Sequence, residues 1–405
     1  MFASDAGSRL RRVVVIVVFA SLGALAVVTS ASYAWVLAPV AAGSTRDRFE
    51  RPAAWDFRAF YSAAHFASQG RPAAAYDEAR MQAYGRELFG QDTPLIPWPY
   101  PPSTVLPLEP LGALGYSHAL LLWVGLGLGS LALAIFVATR PRHLLLLGLL
   151  SPSVAYAITS GQISVYMAAL LLAGLGLLRR APSWAGALLG LLVLKPQLAL
   201  LVPVLLFTWR DRRVLAGACA SASGLVLSSV LVFGWRPWLA FWSALPHHGA
   251  DLFAHARPDL WARVPTVYVL LRQLGASASG AWSGHALIAL VSLALLWRGL
   301  RLPGVDDGRR ALLLVSATLL SVPYVWDYDL VILVVPALLI WRDRGSDERP
   351  LLAIVLFFLA SLGPGLRYLT AFTGLQLGPL AWAALLVWAS WPRVWPHGEP
   401  SHVSP

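Results

Sequence analysis

The stretch SWAGALLGLLVLKPQLALLVPVLLFTWRDRR, residues 183–213, decides the fold of this chain. It is mostly apolar, and Lys195 near its middle is the only charged residue between the arginines at Arg179–Arg180 and those at Arg210–Arg213. A single helix across a bilayer would put these two clusters on opposite sides, against the tendency of basic loops to stay cytoplasmic. Pro196 breaks a helix and biases Lys195 away from helical geometry. The stretch therefore predicts two half-helices in a hairpin, with Lys195 near the tip.

The composition predicts an all-α polytopic membrane protein. Of 405 residues, 58% are hydrophobic and 13% charged, and the mean hydropathy is +0.64. Several apolar runs approach the ~20 residues with which a helix crosses ~30 Å of hydrocarbon. The net charge of +11 does not predict a nucleic-acid partner, because the arginines lie between apolar runs, where topology and anionic lipids account for them. A single cysteine, Cys219, excludes an intramolecular disulfide and paired-cysteine metal motifs.

Placing the short arginine-bearing loops in the cytoplasm predicts about twelve spans in the plasma (inner) membrane. The first apolar segment resembles a signal peptide, but it continues as far as residue 40, so we interpret it as an uncleaved span. We expect one integral-membrane domain over residues 1–395 and a disordered tail over 396–405. The predicted spans are 13–40, 116–139, 143–158, 162–178, 183–194, 197–209, 214–234, 282–297, 311–323, 328–341, 350–365 and 375–391.

The largest predicted outer loop covers residues 41–115. Within it, Phe57, Phe60, Tyr61 and Ala64 recur at helical spacing, with polar residues on the other face. This pattern predicts a juxtamembrane helix lying along the membrane surface, with Asp56 at its N-cap. A second surface helix is expected to start at residue 77, where an aspartate would act as its cap. The remaining outer segments are 159–161, 195–197, 235–281, 324–328 and 366–374.

Polar residues that interrupt apolar segments are costly in a membrane and are therefore candidates for function. Lys195 is the only lysine in the chain, and a compact ammonium beside a helix break suits a phosphate or carboxylate partner. Two simpler interpretations stay open: that Asp56 acts only as a helix cap, and that Lys195 extends to the membrane interface. The candidates that this topology brings to the outer face are Asp56, Tyr100, Gln162, Lys195, Gln197, Asp327 and Asp329.

Five blocks of sequence occur in the order, and near the spacing, found in glycosyltransferase family 87, which the chain resembles over about residues 50–340. Members of that family are integral-membrane enzymes of the GT-C fold that use polyprenyl-phosphate sugars, and they include bacterial α-mannosyltransferases of phosphatidylinositol mannosides and related arabinofuranosyltransferases. The blocks are WDFRAFYSAAHFASQGRPAAAYD (55–77), YPPSTVLPLEPLGAL (100–114), SGQISVYMAALLLAGLGLLRR (160–180), AGALLGLLVLKPQLALLVPVLL (185–206) and SVPYVWDYDL (321–330).

The resemblance implies a hexosyltransferase of class EC 2.4 with its active site on the extracytoplasmic side. It would move a sugar, mannose above others, from polyprenyl phosphate to a glycolipid or envelope glycan, with inversion. Asp56 matches the family's first-loop aspartate, the expected general base. The residues expected to bind the donor's phosphate and sugar are Lys195, Gln162, Tyr100, Gln197, Tyr328, Asp329 and Arg58. Where family members often carry a histidine before the YD pair, this chain has Pro323, Tyr324 and Trp326, so that histidine's role does not transfer.

No cofactor or metal is expected, because a lipid-phosphate donor leaves as a monophosphate. The DYD of residues 327–329 superficially resembles a metal-binding carboxylate pair, but a loop cap and a hydrogen bond to the sugar are the favoured interpretations. His247, His248 and His255 lie near Asp251 as a weak metal-site pattern, and a solvated loop is the favoured interpretation there. Two other functions stay open. A carrier or flippase for lipid-linked sugars would also use broken helices, although the large outer loop favours an enzyme. A non-catalytic scaffold would tolerate changes at Asp56 and Lys195.

Overall fold

The computed structural model describes residues 31–139, 143–254, 258–343 and 363–391, with a few isolated positions outside these ranges. The described chain is all-helical, as predicted. Short 3₁₀ helices cover Pro72–Tyr76, Leu106–Ala113, Leu191–Leu194 and Asp327–Leu333. The α-helices are α1 Val27–Ala41, α2 Phe57–Ser68, α3 Glu78–Phe89, α4 Pro102–Val105, α5 Tyr116–Thr139, α6 His143–Leu149, α7 Pro152–Thr159, α8 Ser164–Leu177, α9 Pro182–Gly190, α10 Pro196–Ala199, α11 Val202–Trp209, α12 Arg212–Phe233, α13 Arg236–Ala254, α14 Pro258–Trp261, α15 Val267–Gln273, α16 Ala278–Leu300, α17 Asp307–Ser321, α18 Val334–Arg342, α19 Gly363–Thr373 and α20 Gly378–Ser390.

Three described helices, α5, α12 and α16, are long and apolar enough to cross a bilayer. The last two helices, bent by 114° at their break, make a fourth span if they are counted together. The helices α5, α12 and α16 agree with three of the predicted spans, and the protein is therefore a multi-pass membrane protein. The bent pair joins the predicted span 375–391 to the segment 366–374, which was predicted to lie outside the membrane. The predicted total of about twelve spans is not shown. The predicted span 350–365 and the first half of 13–40 lie largely outside the described residues.

Most other apolar segments form helices too short to cross a bilayer alone. Pro152 begins α7 directly after α6 and so divides the predicted span 143–158. The helix α17 has 15 residues, and from Gly308 to Ser321 all of them are buried. A helix enclosed by protein has its backbone polar groups shielded from lipid, so short or broken helices are tolerated there. Hydropathy alone did not distinguish burial in protein from burial in lipid.

The chain breaks at Lys195, as predicted. Lys195 has φ −135° and ψ 79°, outside the helical region, and Pro196 then begins α10. The apolar helix Pro182–Leu194 before the break is only ~20 Å long at 1.5 Å per residue. It therefore ends well short of ~30 Å of hydrocarbon.

Close glycine contacts show that α9 and α12 run parallel to each other. A Cβ on Gly186 would lie 2.0 Å from the Val214 carbonyl oxygen, and one on Gly190 would lie 2.3 Å from that of Ala218. Parallel neighbours joined by the intervening α10 and α11 require the chain to return between them. The N-terminal ends of α9 and α12, and with them both arginine clusters, therefore lie at the same end of the molecule, which agrees with the predicted hairpin.

The helix α2 is buried in the protein on both of its faces and is not the half-exposed helix that its pattern predicts. Ten of its 12 residues are buried, including Arg58 and Ser62 on the face predicted to be wet. The reason is that other parts of the outer loop pack around it. A Cβ on Gly112, in the 3₁₀ helix Leu106–Ala113, would lie 2.2 Å from the Ala64 carbonyl oxygen. Only glycine allows that close approach.

The second helix of the loop behaves as predicted. In α3 the buried residues are Met81, Tyr84 and Phe89, so one apolar face packs inward. The Asp77 side chain accepts a hydrogen bond from the Arg80 amide, which confirms Asp77 as a helix cap.

Candidate active site

A glycine turn fixes the start of α2 against the end of α7. The Asp56 amide donates to the Ser160 carbonyl at 2.9 Å, and the Trp123 indole donates to the Gly161 carbonyl at 3.1 Å. Gly161 has φ +75°, and a Cβ there would lie 2.4 Å from the Cβ of Phe57. Both observations require glycine at this position. The turn thereby brings the next residue, Gln162, to Asp56.

Asp56 stands at the N-cap position of α2 without capping it. Its backbone is helical, with φ −82° and ψ −21°, and its side chain makes no cap hydrogen bond. The carboxylate is instead hydrogen-bonded by Gln162. The interpretation of Asp56 as only a helix cap is therefore wrong.

The surroundings of Asp56 favour its protonated form on balance. Burial raises the pKa of the Asp56 carboxyl above its ordinary value, and the negative charge of Asp327 adds to this. The Gln162 hydrogen bond and the positive charges of Arg263 and Lys195 act in the opposite direction. Asp56 is thus a carboxylate held near two cations, with an elevated affinity for a proton, which is a property of general bases.

Lys195 forms a buried ion pair at the hairpin tip. Its Nζ lies 2.5 Å from Asp329 Oδ1, and the two side chains are 1% and 0% exposed. The Ser164 hydroxyl donates to the same carboxylate oxygen at 2.5 Å and accepts from Lys195 Nζ at 3.0 Å. The other oxygen, Asp329 Oδ2, accepts from the Trp326 amide at 3.1 Å. Lys195 therefore does not extend to the membrane interface, and that alternative is wrong.

The rings of two tyrosines lie beside this ion pair. Lys195 Nζ lies 5.9 Å from the ring centre of Tyr100 and 5.1 Å from that of Tyr328. The Tyr100 hydroxyl donates to Gln162 Oε1 at 3.3 Å, so Tyr100 and Gln162 form a chain that ends at Asp56. Burial raises the pKa of the Tyr100 phenol well above its ordinary value, which keeps the hydroxyl neutral.

A second ionic group, Arg263–Asp327–Tyr156, also lies near enough to Asp56 for its charges to act on that carboxylate. Asp327 Oδ2 accepts from the Tyr156 hydroxyl at 2.9 Å and from Arg263 Nε at 3.4 Å. The Asp327 amide also donates to the Arg263 carbonyl at 2.8 Å, and the guanidinium lies 5.2 Å from the ring centre of Trp326. Arg263 is 27% exposed, unlike the fully buried Lys195.

The remaining predicted residues are placed less directly. Arg58 Nε donates to the Trp55 carbonyl at 3.1 Å, and its guanidinium stacks on the Trp55 ring at 4.2 Å. Gln197 is partly buried in α10, and no hydrogen bond among the described residues joins it to the cluster. Tyr324, in the segment where the family's histidine is expected, packs edge-on against Trp326. Burial raises the pKa of Tyr324 to about 12, so its neutral phenol is no substitute for an imidazole base.

Sequence reasoning missed Arg263, Tyr156 and Ser164. Arg263 lies among other arginines of the segment 235–281, and no pattern there separates it from them. Tyr156 and Ser164 fall within ordinary apolar runs. A pairing of these residues with the DYD aspartates depends on contacts across 64 to 171 residues of chain, which no local pattern contains.

Among the described residues, no group of three or more His, Cys, Asp or Glu side chains is arranged to hold a metal ion. His247 is hydrogen-bonded to the Ser243 carbonyl at 3.2 Å. The other side chains of the proposed histidine group, at positions 248, 251 and 255, lie outside the described residues.

Helices that break beside a buried ionic cluster make this place the candidate functional site of a membrane protein. The chain belongs to glycosyltransferase family 87, whose model matches residues 98–323. It is therefore a membrane glycosyltransferase of the GT-C class, with sugar donor and acceptor substrates. A search of curated proteins and a search of solved structures gave no match.

The matched region contains only part of the cluster. It includes Tyr100, Gln162 and Lys195, but it begins after Asp56 and ends before Tyr328. The contacts of Asp56 and of the DYD segment with the matched region therefore come from the structure and not from the family model.

Proposed function

We propose that the protein transfers a sugar from a polyprenyl-phosphate donor to a lipid-linked or envelope glycan acceptor, with Asp56 as the general base. The observation that supports this proposal is the placement of the Asp56 carboxylate. Its carboxylate makes no cap bond, is held by Gln162 and lies near two cations. Such a transfer needs a carboxylate that accepts the hydroxyl proton and a cation that stabilises the leaving phosphate, and this arrangement is suited to both.

The proposed reaction is a single displacement at the anomeric carbon. The acceptor hydroxyl oxygen attacks this carbon and forms the new glycosidic bond, while the bond from carbon to phosphate oxygen breaks and its electron pair leaves with the phosphate. The hydroxyl proton passes to the Asp56 carboxylate. Attack from the face opposite the leaving group inverts the anomeric configuration. The charge that develops on the phosphate is compensated by cations of the site.

The other predicted residues are assigned to binding and orientation. Gln162 and Tyr100 hold Asp56 through their hydrogen-bonded chain. Tyr328 and Tyr100 supply apolar faces on which a sugar ring can pack. Lys195 and Asp329 lie beneath these rings. We propose that the site faces the extracytoplasmic side and that the donor is a mannose lipid, as the resemblance implies.

The test of the proposed base is the Asp56→Asn variant. Transfer by purified full-length protein, supplied with polyprenyl-phosphate mannose and candidate glycolipid acceptors, should fall by at least ~100-fold, the usual contribution of a general base. The thermal unfolding midpoint should not fall. Because burial raises the Asp56 pKa in the folded state, an ionised Asp56 lowers the stability of the folded protein at neutral pH, and asparagine removes that charge.

Asp77→Asn is the matched control. It makes the same chemical change in the same loop, at a residue that caps α3 and otherwise makes an exposed ion pair with Arg80. Asparagine caps a helix nearly as well, and an exposed ion pair contributes little to stability. This variant should keep wild-type transfer. Near wild-type transfer by Asp56→Asn would remove Asp56 as the base.

The broken helices at Lys195 also suit a carrier of lipid-linked sugars, and the same assay separates the two functions. An enzyme forms a new glycolipid in detergent, where no second compartment exists. A carrier forms no product and instead moves the intact donor lipid across a liposome bilayer. Movement of intact lipid without transfer would favour the carrier.

A further inference from the structure

Lys195 and Arg263, the two cations near Asp56, differ in how strongly neighbouring groups already bind them. This difference indicates which of the two binds the donor's phosphate. We propose that Arg263, and not Lys195, binds the phosphate of the donor, with Asp327 and Tyr156 holding the guanidinium in position. This inference rests on the proposed function, because it assumes a lipid-phosphate donor, and it assigns the leaving group to a residue that the sequence did not single out.

Lys195 is poorly available to a ligand. Its ammonium lies 2.5 Å from Asp329 and 3.0 Å from Ser164, and both charged side chains are almost completely buried. A phosphate at Lys195 would have to compete with this carboxylate, and any displacement would leave Asp329 charged without its partner.

Arg263 is more available to a ligand than Lys195 in its exposure, in the length of its ion pair and in its unused donors. It is 27% exposed, and its Nε lies a longer 3.4 Å from Asp327. A guanidinium has five N–H donors in a planar fork, and the described contacts use two of its nitrogens, Nε on Asp327 and Nη2 on the Tyr156 hydroxyl at 3.3 Å. The remaining donors suit the paired oxygens of a phosphate, which arginine binds in a bidentate manner.

The position of Arg263 also fits the chemistry. It lies close enough to Asp56 for their charges to interact. A phosphate bound at Arg263 would therefore lie in the neighbourhood of the proposed base. A second arginine borders the same place: the Arg367 guanidinium lies 5.8 Å from the Tyr156 ring centre, and its Nε is buried with no hydrogen-bond partner among the described residues.

The experiment measures binding of polyprenyl monophosphate, the proposed product, to full-length protein in nanodiscs, with uncharged polyprenol as the reference lipid. Arg263→Gln should weaken binding of the phosphate by at least tenfold and leave binding of polyprenol unchanged. Arg263→Lys keeps the positive charge but loses the planar donors of the guanidinium. Its affinity for the phosphate should therefore lie between those of the wild-type protein and Arg263→Gln. The matched control is Arg272→Gln, since Arg272 also stacks on a tryptophan, 5.7 Å from the ring centre of Trp261.

The double variant Lys195→Met/Asp329→Asn removes the buried pair without leaving a lone charge, and its affinity for the phosphate should fall by less than that of Arg263→Gln. Loss of affinity in this double variant together with unchanged affinity in Arg263→Gln would assign the phosphate to Lys195 and overturn the inference. Wild-type affinity in Arg263→Gln overturns it in any case. Failure of the wild-type protein to prefer polyprenyl phosphate over polyprenol would instead count against the lipid-phosphate donor itself, and so against the proposed function.

Discussion

At the scale of single residues, the proposed role of Asp56 as general base makes transfer depend on its proton affinity. The charged groups around it are Arg263, Lys195 and Arg58, which favour its ionised form, and Asp327, which opposes it. Burial is the largest influence and raises the Asp56 pKa. A general base works only when deprotonated, so the site combines a strong proton acceptor with the need for a pH above that pKa.

This predicts the pH profile of transfer. The rate should fall as the pH is lowered through the raised pKa of Asp56, and hence at a higher pH than the ~3.9 of an ordinary aspartate. Arg263→Gln removes a positive charge that lowers this pKa, so the acid limb should move to a still higher pH. The measurement is kcat/KM for the donor against pH in both proteins. An acid limb that stays in place when Arg263 is changed would contradict the arrangement.

The buried pair of Lys195 and Asp329 makes a prediction about stability. Lys195→Met should lower the free energy of unfolding by about 3–5 kcal/mol, because it leaves Asp329 as an uncompensated buried charge. Adding Asp329→Asn should recover much of that loss. Arg80→Met provides the comparison, since its ion pair with Asp77 is exposed and should be worth at most about 1 kcal/mol. Equal losses in the single and double variants would show that the ion pair is not the cause.

At the scale of elements, the turn between α7 and α8 positions the start of α2. Gly161→Ala should lower both transfer and the unfolding midpoint, because its Cβ would lie 2.4 Å from that of Phe57 and would push Asp56 away from Gln162. Gly275→Ala is the matched control. Gly275 also has positive φ, +92°, but nothing lies within 4 Å of its Cβ, so this variant carries only the backbone strain. Transfer assays and thermal unfolding of the two variants should differ, and matching losses would exclude the contact as the cause.

The elements also show where pattern reasoning works and where it fails. The break at Lys195 was predictable because proline acts on its own helix and on the residue before it. The burial of α2 was not, because its apolar stripe is real but small residues on the other side, such as Ala59 and Ala63, let neighbouring segments pack there too. An amphipathic pattern predicts that the apolar face is buried, but it does not predict whether the opposite face stays exposed.

At the scale of the whole molecule, the parallel arrangement of α9 and α12 determines the topology. Positions 180 and 212 are both exposed and lie at the same end of the hairpin, so single cysteines there should react with a membrane-impermeant maleimide from the same side. A cysteine at Glu78, in the outer loop, should react from the other side. The background is Cys219→Ser, since this native cysteine is exposed. Labelling of positions 180 and 212 from opposite sides would exclude the hairpin.

The sequence by itself determined the membrane class, the long helices α5, α12 and α16, and the reversal at Lys195, because hydropathy and proline act over one helix length. The residue types of the candidate site were also visible, since a lone lysine and isolated carboxylates are conspicuous in an apolar chain. Only the tertiary structure decided their partners: Lys195 meets Asp329 across 134 residues of chain, and Arg263 meets Asp327 across 64. Such pairings arise when separate helices pack. They determine which charged side chains are available to bind a substrate.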